Sequence, residues 1–145
     1  MNAYTFDEIN IGMTESFQVE ITEEKHRLFA ELSGDCNPMH IDSVFAIENG
    51  FRDKIVYGML QASFLSTLVG VYLPGKHCLF ETVDALYFKK PVYIGDVLTV
   101  SGKVIGKVDI SEEGPQRGTV SIKADIRNQN GEKVSLGKLT VGVMK

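Results

Sequence analysis

The chain has no tryptophan, and only four prolines, three histidines and two cysteines in 145 residues. Cys36 and Cys78 form no disulfide framework and no metal-ligand spacing, which excludes a cysteine-stapled scaffold and a structural zinc site. Two free thiols in a reducing cytosol is a plainer reading than a single disulfide. No apolar run reaches membrane-spanning length, because the most hydrophobic stretch, after Gly58, is interrupted by Gln61, Ser63, Ser66 and Thr67. Positive charge is not in excess either. The 15 Lys and Arg residues are dispersed among 19 Asp and Glu, for a net charge of −4, which argues against a nucleic-acid partner and against docking on an anionic membrane. The first residues, Met1 to Glu8, carry neither a basic nor an apolar signal region, so a cytoplasmic protein is expected. Repeats, low-complexity tracts and linkers are also missing. The chain therefore reads as one domain over residues 1–145, large enough to bury a real core.

Phe17, Val19 and Ile21 alternate with Gln18 and Glu20, as in a strand with one buried face. Thr22 is placed to cap a helix whose first turn carries Glu23 and Glu24, with Leu28, Phe29 and Leu32 as its apolar side and Gly34 as its stop. Pro38 keeps the stretch from Asp35 to His40 irregular. Asp42 or Ser43 then caps a short helix that Asn49-Gly50 closes. From Met59 to Leu73 apolar residues fall on every side of a helical wheel, which predicts a buried helix stopped at Pro74-Gly75. Strand patterns follow over Cys78 to Phe88, Val97 to Ile105, Thr119 to Arg127 and Lys133 to Val143. Asn130-Gly131 suggests a type I′ hairpin, and a change of apolar phase at Gly137 suggests a bulge. The fold class is α+β, with a curved antiparallel sheet wrapped around one long helix. Such a sheet leaves edges that a second copy can cover, so a homodimer is expected.

The chemistry-bearing stretch is Ser33-Gly34-Asp35-Cys36-Asn37-Pro38-Met39-His40, followed by Ile55-Val56-Tyr57-Gly58-Met59-Leu60. A carboxylate, an imidazole and a helix N-terminus are sufficient parts for acid–base chemistry beside a carbonyl. Taken singly, Asp35 reads as a turn residue and His40 as a packed or solvated histidine; only the combination favours catalysis. Cys36 has no base or oxyanion arrangement beside it that would mark a nucleophile. His26 and His77 read as surface residues.

Ser-Gly-Asp-x-Asn-Pro-x-His-x-Asp, then Ile-Val-x-Gly-Met-Leu and later Phe-Lys-Lys-Pro-Val-x-x-Gly-Asp resemble the MaoC-like (R)-specific enoyl-CoA hydratases. The resemblance is clear over about residues 29–100. It implies the hot-dog fold, a homodimer with sites near the subunit interface, and hydration of a 2-enoyl thioester or dehydration of its 3-hydroxyacyl form. Asp35 and His40 match the catalytic pair, and Gly58 matches the glycine whose backbone N–H faces the thioester carbonyl. Asn37 matches the asparagine that braces the loop. Ser66, or else Ser63, matches a serine near the reacting centre. Tyr57 stands where the family commonly has histidine, so it bears on the acyl group accepted. Lys89 and Lys90 read either as contacts to coenzyme A phosphates or as a solvated pair. No resident cofactor or metal is implied, since coenzyme A or a phosphopantetheine carrier arrives with the substrate. Bulky Phe45, Phe51, Tyr57 and Phe64 predict short acyl chains. Two alternatives are a hot-dog thioesterase, disfavoured because residues 59–73 contain no Asp or Glu, and a non-catalytic acyl-thioester-binding domain.

Overall fold

Five strands form one antiparallel sheet in the order β1-β3-β4-β5-β2: β1 (Thr14–Glu20), β2 (Cys78–Phe88), β3 (Val97–Asp109), β4 (Arg117–Arg127) and β5 (Lys133–Met144). These come from a computed structural model of the chain, which describes residues 1–109 and 117–144. Strict alternation in the long strands sends Leu98, Val100 and Val104 to the same side as Val120, Ile122, Ala124 and Ile126. Leu139, Val141 and Val143 join them. Burying each such Leu or Ile contributes roughly 1.5–3 kcal/mol, so this face is the core.

Across that face lies helix α4 (Gly58–Thr67), which continues as a π-helical turn over Leu68–Tyr72. The wider turn is closed by Leu73 N–H, which donates to the Leu68 carbonyl five residues back at 2.8 Å. Leu65, Leu68 and Val69 are buried against the sheet. Gly102 lets the helix approach, since a Cβ there would stand 2.9 Å from a Leu68 methyl. This is the hot-dog arrangement, a curved sheet around one long helix. The helix is not buried on every side, however. Met59 is 60% exposed, and Ser63 and Ser66 are exposed on the same face at helical spacing.

Before α4 come α1 (Glu23–Ser33), a single turn α2 (Pro38–Ile41) and α3 (Ser43–Glu48). Thr22 caps α1 by accepting from Lys25 N–H, and Gly34 ends it in the left-handed conformation at φ 71°. Asp42 caps α3 by accepting from Phe45 N–H, and Asn49 closes it.

Four local expectations are corrected. The buried face of α1 is His26 with Phe29 and Ala30 partly covered, whereas Leu28 and Leu32 are exposed. The stretch before His40 contains regular structure after all: Pro38 occupies the first position of α2, where its missing N–H costs nothing. In the β4–β5 hairpin only Gly131 has positive φ (75°), and Gly131 N–H donates to the Asn128 carbonyl. That is a type I turn followed by a left-handed glycine rather than a type I′ turn. The irregularity in β5 lies not at Gly137, which pairs normally with Ala124 and Leu86, but at Val134, the extra residue between the Ile126–Ser135 and Arg127–Lys133 pairs.

Candidate active site

The loop joining α1 to α2 is built from its own side chains. Asp35 accepts from Asn37 N–H at 3.0 Å, and Asn37 in turn accepts from Met39 N–H at 3.0 Å to cap α2. Asn37 therefore shapes the turn that presents both Asp35 and His40. Asp35, Cys36 and Asn37 are exposed in the chain, and His40 is half-buried.

His40 is held from three directions. Its Nδ1 lies 2.8 Å from the Ile55 carbonyl oxygen, which can only accept, so in the neutral ring Nδ1 carries the proton and Nε2 keeps a free lone pair. The ring packs on Tyr57 at a centroid distance of 4.1 Å. Its own backbone carbonyl accepts from His26 Nε2 at 2.7 Å. Tyr57, 2% exposed, reaches the other half of the loop by donating from its hydroxyl to the Asp35 carbonyl at 2.6 Å. Burial, and then the charge of Asp35, push the Tyr57 phenol up, which keeps it a donor.

Gly58 follows Tyr57 as the first residue of α4, and Tyr57 makes no side-chain cap, so the first backbone N–H groups lack helical partners. The Val56 N–H to Val92 carbonyl bond, 2.8 Å, fixes this helix start against the Pro91–Asp96 turn. A cleft of about 300 Å³ opens there, lined by His40 and Gly58 together with Phe51, Gln61, Phe88 and Lys89. A Cβ on Gly58 would sit 3.0 Å from the Phe88 ring, so glycine leaves the floor of the cleft open. The cleft thus brings the His40 imidazole together with the start of α4, whereas Asp35, on the exposed loop, is not among its lining residues.

A model of the MaoC like domain family matches residues 8–125. The chain belongs to this family. It is 39% identical over 103 residues to an "(R)-specific enoyl-CoA hydratase" of Rhodospirillum rubrum, covering 71% of each chain. It is 34% identical over 112 residues to a "3-hydroxybutyryl-CoA dehydratase" of Methylorubrum extorquens, covering 77% of this chain and 67% of that one. Among solved structures, the (R)-hydratase of Aeromonas caviae involved in PHA biosynthesis superposes with a TM-score of 0.81 at 32% identity, covering 93% of this chain and 97% of that one.

The remaining residues named from the sequence fall in two groups around this MaoC-like site. Lys89 and Lys90 are among the residues that line the His40 cleft; Lys89 Nζ lies 5.1 Å from the centre of the Tyr87 ring, and Lys90 pairs with Glu132. Ser63 and Ser66 do not line that cleft. Both sit on the exposed face of α4, and Ser63 Oγ donates back to the Leu60 carbonyl at 2.6 Å. Of the four bulky residues expected to narrow the acyl site, Phe51 lines the cleft, joined by Phe88. Phe45 is 38% exposed, Tyr57 packs against His40, and Phe64 is partly buried against the core rather than in the cleft.

Three contributors were not read from the sequence. Gln61 is buried in the cleft wall, where Ser135 Oγ donates to its Oε1 at 2.6 Å. Phe88 forms another wall. His26, read as a surface residue, is 3% exposed. Its signal was present: it lies three and four residues before Phe29 and Ala30, on one helix face. Asp96, in the Pro-Val-x-x-Gly-Asp stretch, is structural, accepting from Tyr93 N–H and from Gln129, each at 2.9 Å. Among the described residues no cluster of ligating side chains suits a metal, and no helix is long and apolar enough to cross a membrane.

Proposed function

We propose that this chain is an (R)-specific 2-enoyl-thioester hydratase, equally a dehydratase of the 3-hydroxyacyl thioester, acting on an acyl-CoA. The observation that carries the reading is His40, with Nε2 free, sharing one cleft with the N-terminal backbone N–H of α4. Similarity to the R. rubrum hydratase and the M. extorquens dehydratase supports the reaction class.

With Nδ1 committed to Ile55, neutral His40 offers only a lone pair, as does the ionised carboxylate of Asp35. The two hold a water over C3 of the enoyl group. The water oxygen bonds to C3, its proton passes through the dyad to C2, and the Gly58 N–H meets the negative charge that grows on the thioester oxygen. Atoms balance without an outside proton, and no resident cofactor or metal enters; coenzyme A is part of the substrate. Asn37 braces the loop. Lys89 and Lys90, which line the cleft, are assigned to the phosphates of the carrier. The small cleft, with Phe51 and Phe88 in its walls, favours short acyl groups.

The chain is also assigned to a homodimer. In support, the α4 face bearing Met59, Ser63 and Ser66 is open, and the edge strand β2 exposes Leu79, Val83 and Tyr87. Ser63 and Ser66 then meet the second copy. Sedimentation should give twice the monomer mass; a monomer would contradict this assignment.

The test of the reaction is crotonyl-CoA, followed by loss of the conjugated enoyl absorbance with free thiol read in parallel. Loss of absorbance without thiol, giving (R)-3-hydroxybutyryl-CoA, is the expected result. Thiol release would replace the reading with a thioesterase, and stabilisation by acyl-CoA without turnover would replace it with a binding domain.

A further inference from the structure

A buried histidine stands behind the dyad with no place in the chemistry above. His26, on α1, is 3% exposed. Its Nε2 lies 2.7 Å from the backbone carbonyl oxygen of His40, and its ring lies 4.9 Å from that of Tyr57. Since a carbonyl only accepts, Nε2 carries the proton. The other nitrogen, Nδ1, is buried with no hydrogen-bond partner among the described residues. An aliphatic side chain would fill this position without orphaning a polar atom, so packing alone gives no reason for an imidazole here. The Nε2–H bond does.

We propose that His26 is a positioning residue for the dyad, fixing the backbone of His40 while Tyr57, in contact with both imidazoles at a tilt, fixes the backbone of Asp35. The inference rests on Asp35 and His40 being the reacting groups. The exposed Asp35 and the half-buried His40 thereby take their geometry from two hydrogen bonds to their backbone carbonyls. His26 N–H holds α2 against α1 through the His40 carbonyl, and the Tyr57 hydroxyl holds the turn before α2 through the Asp35 carbonyl. Both anchors belong to one cluster of tilted rings, in which the Tyr57 ring also meets Phe29 at 5.1 Å. The carboxylate and the Nε2 lone pair are thereby held in register over one water. Loss of the His26 donor lets α2 drift, which lowers the rate of the bound complex more than it weakens binding.

The test compares two variants. His26→Phe keeps a ring of similar size and removes the donor; His26→Gln restores an N–H at about the reach of Nε2. Expected for His26→Phe is a fall in kcat of about tenfold or more with KM within about twofold, and for His26→Gln a recovery to within about threefold of wild type. Wild-type kcat in His26→Phe overturns the proposal, and so does equal impairment of both variants, which would make ring volume the cause. A second measurement holds even where His26→Phe does not fold: the tautomer of His26 in the wild-type protein, read from nitrogen-15 correlations of the imidazole. Protonation at Nε2 is expected; the Nδ1–H tautomer overturns the proposal. Absence of wild-type turnover would strike the hydratase reading instead, so the two failures are distinct.

Discussion

Replacing Gly58 by alanine separates the chemistry of the cleft from the stability of the scaffold. Gly58 is not among the glycines with positive φ, and it opens α4, so alanine suits its backbone and gains up to about 0.5–1 kcal/mol of helix propensity. Against this, the new methyl would stand 3.0 Å from the Phe88 ring, which must give by a few tenths of an ångström. Phe88 is 47% exposed at the end of an edge strand, so its ring can swing at a cost of the same small order. The two contributions offset each other, and at about 2–4 °C per kcal/mol for a chain of this size the melting midpoint should move by less than about 3 °C. The effect on rate is of another scale. The methyl lies beside the N–H assigned to the thioester oxygen, in a cleft of only about 300 Å³. Pushing the carbonyl off that donor approaches the loss of one oxyanion-hole hydrogen bond, about 2.7–4 kcal/mol or 10²–10³ in kcat. Thermal melting and crotonyl-CoA hydration on the same preparation check both halves. A folded Gly58→Ala protein with kcat within about threefold of wild type would refute the role of this N–H.

Three further outcomes follow from the geometry. Ser135→Ala removes the donor to the buried Gln61 Oε1 and should cost about 1–3 kcal/mol in denaturant unfolding; an unchanged midpoint would show that pair to be idle. Gly131→Ala forces a side chain into the left-handed region at φ 75° and should destabilise by about 1–2 kcal/mol with turnover retained. Burial, and then Glu81, push the Cys78 thiol up to about 11. At pH 8 the thiolate is therefore only about a thousandth of that cysteine. A disulfide reagent should label the partly buried Cys78 far more slowly in the native than in the unfolded protein, and equal rates would contradict this.

Local signals with one physical solution were legible in the sequence. Thr22 before Glu23-Glu24 and Gly34 after α1 occupy the caps expected of them, and of the two candidates Asp42 and Ser43 it is Asp42 that caps α3. The strand patterns over Val97 to Ile105 and Thr119 to Arg127 fall within β3 and β4. Where two backbones satisfy one pattern, the expectation drawn from the sequence could miss, as the type I′ turn expected at Asn130-Gly131 did. Asn130-Gly131 fits a type I′ turn or a type I turn closed by a left-handed glycine, and strand pairing across Asn128 and Glu132 selects the second. The phase change in β5 was visible, but its position at Val134 depends on the register against β4. The face of α1 was misread because Leu28 and Leu32 outweighed His26 on hydrophobicity, whereas the space beneath Tyr57 suits a flat ring with a donor. Similarly, Met59, Ser63 and Ser66 looked buried because the helix is apolar on average, and only the shape of the sheet leaves that side open. The Asp35–His40 motif was legible as a unit; its anchoring by Tyr57 and Ile55, distant in sequence, was not.

The most direct test of the dyad is turnover of crotonyl-CoA by Asp35→Asn and His40→Ala, measured beside acyl-CoA binding and thermal melting. Asp35 is exposed, and asparagine keeps an oxygen that can accept from Asn37 N–H, so the fold should survive the first change. His40 gives up one bond, to the Ile55 carbonyl, while its backbone contacts remain. Both variants should fold and bind acyl-CoA, with kcat lowered by about 10²–10⁴. Near-native kcat in either folded variant would contradict the role of the dyad.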